Sequence, residues 1–199
     1  MECSDASGVV DDQVPSKAIT ANHREELMKA PWKRYLLPAA MCAAAAGIGA
    51  FGTKVDSDWY KNVAKPAWQP PGWVFGPAWS TLYTLTAVAS GRVLTRLPNS
   101  RDRRAYLGEL GANMAVNVAW SWLFFSARRP DASLVDSLVL EASTLRLLRK
   151  AAAVDKTSTL LLTPYAAWVG FATALNGEIL RLNPDEMPRS LSCTRAAGR

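Results

Sequence analysis

Histidine and cysteine are scarce in this chain, and their positions exclude several kinds of chemistry. The single histidine, His23, lies in a polar N-terminal stretch, so histidine catalysis and histidine ligation of haem iron from the apolar part of the chain are excluded. The three cysteines, Cys3, Cys42 and Cys193, are too widely separated for a metal-ligand spacing or a disulfide framework. We therefore predict no catalytic residues, no metal site and no obligatory cofactor.

Charged residues are missing from four long stretches of the sequence. Each stretch approaches the roughly 20 mostly apolar residues that a membrane-spanning helix needs. Their many Gly, Ala, Ser and Thr residues suit close helix packing in lipid, and none shows the polar face of an amphipathic soluble helix. The four stretches are residues 35–53, 69–91, 110–127 and 157–177.

A fifth helix is predicted between the last two of these stretches, although it contains Asp136 and Glu141. Its apolar residues recur at helical spacing, which favours a helix despite the charges. A basic loop with Pro98 and Asn99 at its turn joins the second and third helices. The predicted helices are residues 35–53, 72–95, 106–127, 132–150 and 158–181. The fold class is an all-α membrane protein, in which residues 1–30 form a disordered tail, 31–183 the transmembrane domain and 184–199 a flexible tail.

Basic residues lie mainly beside the apolar stretches. The net charge of +6 is compatible with nucleic-acid binding, but this placement is typical of membrane-flanking residues. We therefore expect a lipid bilayer, and no nucleic acid, as a partner. With five spans, the side that holds the N-terminus carries fourteen of the 23 Lys and Arg residues, which predicts an N-terminus on the inside.

Tryptophan and proline are concentrated between residues 59 and 80, where four of each occur. Because Pro66, Pro70 and Pro71 lack backbone donors and favour extended geometry before them, this segment cannot be helical throughout. We predict a structured loop over residues 59–69 that leads into the second helix. Tryptophan and tyrosine also favour the membrane interface, which is an alternative explanation for Trp59, Tyr60 and Trp68 taken singly.

Three motif blocks carry a resemblance to a known family. The first reads Trp-Tyr at 59–60, Lys-Pro-x-Trp-x-Pro-Pro at 65–71 and Trp-Val-Phe-Gly-Pro-x-Trp at 73–79. The second begins Asn-x-x-Trp at Asn117 and continues to Phe124-Phe125, and the third is Pro-Tyr-x-x-Trp-x-x-Phe-Ala-Thr-x-Leu-Asn at 164–176. This chain resembles the TspO/translocator protein family over residues 31–183. The resemblance implies a bundle of five transmembrane helices, commonly a homodimer, that binds tetrapyrroles beneath its first loop.

The resemblance also implies a set of ligand-binding residues. Trp79 and Trp168 align with the tryptophans that line the tetrapyrrole pocket of the family, although they could instead only pack helices. Asn117 is either a ligand donor or an interhelical hydrogen-bonding residue. The implied site residues are Trp68, Pro71, Trp79, Tyr83, Asn117, Trp120, Trp168, Ala172 and Leu175.

The implied function is that of a membrane receptor or carrier for porphyrin or haem, linked to tetrapyrrole homeostasis or stress signalling. One alternative is a membrane enzyme that degrades porphyrin oxidatively in light, and another is an unrelated polytopic protein such as a channel subunit. The sequence does not identify the host membrane. In a eukaryote we expect the mitochondrial outer membrane or the endoplasmic reticulum. Gly177 stands where the family's sterol motif has tyrosine, so we do not expect sterol binding through that motif.

Overall fold

The computed structural model describes residues 31–184, which form helices and no strand. The predicted tails, 1–30 and 184–199, lie outside the described residues except for Pro184. Five helices have 20 or more residues, and a short helix and a π-helical turn complete the described secondary structure. In chain order they are α1 (Lys33–Gly52), α2 (Asp58–Asn62), α3 (Gly72–Arg96), α4 (Ser100–Ser121), the π-turn (Trp122–Ser126), α5 (Pro130–Ala152) and α6 (Lys156–Leu182).

The five long helices pack as a closed ring. Around the ring the order is α1, α3, α6, α5 and α4, and α4 returns to contact α1. The most extensive contact joins α5 to α6, where Asn176 Nδ2 donates to the carbonyl of Pro130 at 2.9 Å and Ser133 Oγ donates to Asn176 Oδ1 at 2.9 Å. Residues from several helices therefore face a common interior.

The prediction of an all-helical chain is confirmed, but two boundaries were wrong. The third long helix begins at Ser100 rather than residue 106, because Asn99 Oδ1 accepts a hydrogen bond from the N–H of Asp102 at 2.8 Å and caps it. The predicted loop between the second and third helices, residues 96–105, shrinks to 97–99, with Arg96 in α3 and Arg101, Arg103 and Arg104 in α4. These arginines were read as loop residues because charge alone does not distinguish a loop from an exposed helical turn.

The other wrong boundary concerns residue 127, where the sequence predicted that the third helix would end as an ordinary α-helix. The chain instead widens after Ser121 into the π-turn, in which the N–H of Ala127 donates to the carbonyl of Trp122 at 2.8 Å. Arg128 then has a φ of 56°, a left-handed conformation that ends the helix before Pro130 opens α5.

Helices α1 and α3 approach each other closely at a glycine. A Cβ atom on Gly91 would collide with the ring of Tyr35, so only glycine fits at this crossing. At the same end of the pair, Arg34 Nη1 donates to the carbonyl of Leu94 at 2.9 Å, one of the last carbonyls of α3. The crossing is therefore fixed by both shape and a hydrogen bond.

The C-terminus of α3 is joined to the N-terminus of α6 by Asp155. This carboxylate pairs with Arg92 and Arg96, each at 2.9 Å, and caps α6 by accepting from the N–H of Ser158 at 3.2 Å. A hydrogen bond from Ser158 Oγ, supported by Arg92, lowers the pKa of Asp155 to about 2. These contacts hold together the end of the bundle opposite the C-terminus of α6.

Buried polar side chains between α3, α4, α5 and α6 form a continuous hydrogen-bonded chain, which we call the polar core. Tyr83 donates to Asn117 Oδ1 at 2.6 Å, and Asn117 Nδ2 donates to the hydroxyl of Tyr165 at 3.2 Å. The Tyr165 hydroxyl donates to Asn113 Oδ1 at 2.9 Å, and Asn113 Nδ2 donates to Thr144 Oγ1 at 3.0 Å. Because every link is made, the core joins four helices without leaving these groups unpaired.

Candidate functional site: an aromatic cavity beneath a lid

A cavity of about 490 Å³ opens within the ring of helices, beneath the segment that joins α1 to α3. Its volume falls in the range of roughly 300–1,000 Å³ that is usual for small-molecule sites. The side chains around it are mainly aromatic or small. The cavity is lined by Ala46, Gly49, Ala50, Thr53, Val55, Tyr60, Gln69, Gly72, Phe75, Gly76, Trp79, Ser80, Tyr83, Asn117, Trp120, Ser121, Phe124, Phe125, Trp168, Ala172, Leu175, Asn176 and Ile179.

Helix α3 supplies one aromatic wall. Phe75, Trp79 and Tyr83 are spaced four residues apart, so they lie on one face of the helix. The rings of Trp79 and Tyr83 have centroids 5.5 Å apart and are tilted by 32°, while Phe75 meets Trp168 of α6 edge-on at 5.9 Å. This wall therefore connects directly to the next helix around the cavity.

Helix α6 supplies the adjacent wall through Trp168, Ala172 and Leu175. The Trp168 ring packs against Phe171 at a centroid distance of 5.3 Å, and Leu175 is buried below it. Ala172 has a small side chain between them, which leaves room in front of the indole. Trp79 and Trp168 also pack against the apolar core, so they contribute both to helix packing and to the cavity wall.

The π-turn shapes the third wall. Trp120 stacks on Phe124 with an angle of 12° between the rings and 5.2 Å between their centroids. Consecutive Phe124 and Phe125 are both buried and both line the cavity, which the extra residue of the π-turn allows. Gly52 lets this turn approach α1, since a Cβ there would lie 2.8 Å from the Trp122 ring.

Polar groups around the cavity fall into two sets. Asn117 has both amide atoms bonded within the polar core, so the structure favours the interhelical role over that of a free ligand donor. In contrast, three enclosed atoms that belong to cavity-lining residues have no hydrogen-bond partner: Trp120 Nε1, Trp168 Nε1 and Gln69 Oε1. These two donors and one acceptor are enclosed by protein atoms, so a ligand would reach them only if the side chains turned toward the cavity.

The lid comprises residues 54–71 and includes α2. Ser57 caps α2 by accepting from the N–H of Tyr60 at 3.3 Å, a feature that the prediction of a structured loop did not specify. Lys65 donates to the carbonyls of Tyr60 and Val63, and its ammonium lies 4.5 Å from the centroid of the Tyr60 ring. Val55, Tyr60 and Gln69 line the cavity from this segment.

The structure gathers most of the predicted site residues around one cavity, without testing whether they bind a ligand. Seven of the nine line it: Trp79, Tyr83, Asn117, Trp120, Trp168, Ala172 and Leu175. The lining does not include Trp68 or Pro71. Trp68 is half exposed and packs edge-on against Phe171 at 5.8 Å, and Pro71 is the residue that precedes α3.

Several lining residues were not among the predicted site residues. Phe75 had a usable signal, because it lies one helical turn before Trp79 and shares its face. Phe124 and Phe125 were assigned to the end of a helix, and their inward direction depends on the π-turn. The glycine and alanine residues of α1 carry no signal of their own.

Acidic residues offer no metal site within residues 31–184, where no cluster of three potential ligands occurs. Asp136 and Glu141 are half-buried on α5, each with one enclosed and unpartnered oxygen atom. Neither lines the cavity. The arrangement is therefore suited to binding an apolar ligand by shape, stacking and a few hydrogen bonds.

Comparison with known proteins agrees with this geometry. The model of the TspO/MBR family matches residues 37–182, which include every element that lines the cavity. The chain belongs to the TspO/MBR family. TspO/MBR proteins are membrane proteins, and two helices in the described part of the chain, Lys33–Gly52 and Lys156–Leu182, are long and apolar enough to cross a membrane.

Relatives of the TspO/MBR family match most of the chain. The tryptophan-rich protein TspO of Chlorobaculum tepidum is 34% identical over 145 residues, covering 72% of this chain and 92% of that protein. The protein CrtK of Rhodobacter capsulatus is 35% identical over 150 residues, covering 75% and 92%. The human translocator protein is 34% identical over 162 residues, covering 78% and 94%.

Proposed function

We propose that this chain is an integral membrane receptor or carrier that binds a tetrapyrrole, such as a porphyrin or haem, in the lidded cavity. The observation that carries the proposal is the set of aromatic walls around the lidded cavity, to which Trp79, Trp120 and Trp168 contribute. Aromatic faces suit a flat macrocycle. The ligand is bound reversibly, for tetrapyrrole homeostasis or stress signalling.

The membrane arrangement that we propose has five spans. A helix of 20 residues is about 30 Å long, the thickness of the hydrocarbon layer, and each of the five long helices reaches that length. Helix α5 carries Asp136 and Glu141 in its middle, yet Val135, Leu138 and Val139 form an exposed apolar face suited to lipid. The N-terminus lies on the inner side, as the distribution of basic residues indicates.

The partners follow from this arrangement. We propose that the partners are the lipid bilayer and a second copy of the chain. We do not propose nucleic acid, or a sterol bound through the segment around Gly177, as a partner. The host membrane in a eukaryote is the mitochondrial outer membrane or the endoplasmic reticulum. Haem, if bound, is held by stacking and shape or by an axial ligand other than histidine, because the described helices contain no histidine.

A spectral titration tests the proposal. Purified protein is mixed with protoporphyrin IX, and absorbance is recorded in the dark and after illumination. A saturable spectral shift that is unchanged by light supports a receptor or carrier. Light-driven loss of the main absorption band supports the alternative of oxidative porphyrin degradation, and the absence of any shift contradicts both.

Substitutions of two tryptophans on the same helix test whether the ligand binds in the cavity. Trp79 lines the cavity, whereas Trp73 lies on the same helix but is 77% exposed and outside the lining. Replacing Trp79 with alanine should weaken the shift, and replacing Trp73 should not. Equal effects of both substitutions would contradict the assignment of binding to the cavity.

A further inference from the structure

The lid is tied to the end of α6 by one side chain, Asn183. Asn183 Oδ1 accepts a hydrogen bond from the N–H of Ala64 at 3.0 Å, and Asn183 Nδ2 donates to the carbonyl of Ala64 at 2.9 Å. The two residues are 119 positions apart in the sequence. Both backbone groups of a single lid residue are therefore satisfied by one amide, which we call the Asn183 clasp.

The clasp is fixed on its helical side. Asn183 Nδ2 also donates to the carbonyl of Ile179 at 2.7 Å, and the N–H of Asn183 donates to the same carbonyl at 3.1 Å. These bonds satisfy one of the last carbonyls of α6, which have no partner within the helix. The side chain is thus oriented by the end of a long helix and does not depend on the lid for its position.

The clasp holds the lid at a point between residues that line the cavity. Ala64 lies between Tyr60 and Gln69, two of the three lid residues that line the cavity; the third is Val55. Its neighbour Val63 is buried in a cluster with Leu175, which belongs to the opposite wall. Release of Ala64 would therefore loosen the cover of the cavity and leave the walls formed by the long helices in place.

We propose that Asn183 is a positioning residue that keeps the lid closed and so limits how fast a ligand enters and leaves the cavity. This role rests on the proposed function as far as the ligand is concerned, whereas the opening of the lid is a property of the chain alone. Losing two hydrogen bonds should make the open lid roughly 5- to 150-fold more populated.

The first experiment measures lid opening without any ligand. In the full-length chain, the three native cysteines are replaced by alanine and Ala172→Cys places one thiol in the cavity lining. Its reaction with a water-soluble maleimide reports opening. Asn183→Ala should accelerate the reaction roughly 5- to 150-fold. Asn183→Asp keeps the acceptor for Ala64 and loses the donor, so it should give an intermediate rate.

A matched control separates the clasp from general loss of stability. Asn99→Ala removes the cap of α4 at the other end of the bundle and should leave the labelling rate unchanged. Thermal midpoints of all variants are measured alongside. If Asn183→Ala labels at the parental rate, the proposal is overturned. If that variant does not fold, parental labelling of Asn183→Asp overturns it instead.

The second experiment measures exchange of protoporphyrin IX by stopped-flow absorbance. Asn183→Ala should raise both the association and the dissociation rate, because the same opening serves entry and exit. A purely structural defect would lower the bound fraction without accelerating association, and that result contradicts the proposal. If the parent protein binds no porphyrin, the proposed function fails, while the maleimide result still decides the role of the clasp.

Discussion

The polar core and the cavity differ in how their enclosed polar groups are satisfied. In the polar core, Asn113, Asn117 and Tyr165 bond to one another and to neighbouring helices. Around the cavity, the indole N–H groups of Trp120 and Trp168 are enclosed but unpartnered. Thr86 is an exception, because it is buried outside the cavity lining and its hydroxyl also has no hydrogen-bond partner.

This difference in hydrogen bonding assigns the polar core to stability and the cavity to ligand binding. An enclosed polar group without a partner destabilises a protein by roughly 1–3 kcal/mol, so a cluster of them is costly unless something else bonds to them. The polar core avoids this cost by pairing its own groups. The indole N–H groups beside the cavity are enclosed without a partner, and a ligand with acceptor groups would satisfy them only after the indoles turn toward it.

The largest effect is expected at the helix crossing that supports the polar core. Gly91→Ala forces α1 and α3 apart, because the new methyl group would meet the Tyr35 ring. We expect a loss of about 1–3 kcal/mol or more in the free energy of unfolding. Gly108→Ala is the control, since nothing lies within 4 Å of its Cβ position. Denaturant titration in detergent measures both, and equal stabilities would show that the crossing tolerates displacement.

Cavity substitutions should reduce ligand affinity, and alanine at Trp79 or Trp168 should also lower stability, because both rings pack against the apolar core. Trp79→Ala and Trp168→Ala each remove an aromatic face, which by analogy with base stacking weakens protoporphyrin IX binding by about 1–3 kcal/mol. The double variant should lose less than the sum, because both rings contact one ligand. Phenylalanine at either position should retain most of the affinity but abolish any photochemistry that needs the indole. Absorbance titration provides the dissociation constants, and parental affinity in both alanine variants would mean that these rings only pack helices.

A smaller effect is expected from the unpartnered donor of Trp120. Trp120→Phe keeps the ring and removes the N–H, so affinity for a porphyrin with carboxylate groups should fall by about 0.5–1.5 kcal/mol. A porphyrin with only alkyl substituents should bind both proteins equally, since it offers no acceptor at its edge. The exposed Trp73→Phe serves as the control. Equal losses for both porphyrins would argue against a hydrogen bond from this indole.

Acid should weaken the contacts through which Asp155 joins the C-terminus of α3 to the N-terminus of α6. Its carboxyl group has a pKa of about 2 in the folded protein, against roughly 3.9 in an unfolded chain. Its contribution to stability is therefore complete above about pH 4 and is lost as the pH falls toward 2. The difference in thermal midpoint between the parent and Asp155→Asn should shrink over that range. A difference that stays constant would show that Ser158 and Arg92 do not stabilise the ionised form of Asp155.

Much of the fold could be predicted because the signals are local. Long uncharged stretches and helical spacing indicated the helices, including α5 with its acidic residues. The start of α4 was missed because the cap formed by Asn99 depends on a single side-chain contact. The π-turn and the lid helix α2 were missed because they depend on how the chain packs against α1 and α6 and on capping geometry.

The site was predictable where motifs marked it. The resemblance identified Trp79 and Trp168, and helical spacing extends their faces to Phe75 and Tyr83. The partners of Asn117 could not be predicted, because three helices must pack before its amide meets Tyr83 and Tyr165. The clasp between Asn183 and Ala64 has no sequence signature at all, since it joins residues 119 positions apart.

A crystal structure of the protein with protoporphyrin IX tests the central claim most directly. We predict electron density for the macrocycle beneath the lid, in contact with the rings of Trp79 and Trp168 and with its carboxylate groups toward the indole N–H groups. Density confined to the lipid-facing surface, with the cavity empty, would contradict the account.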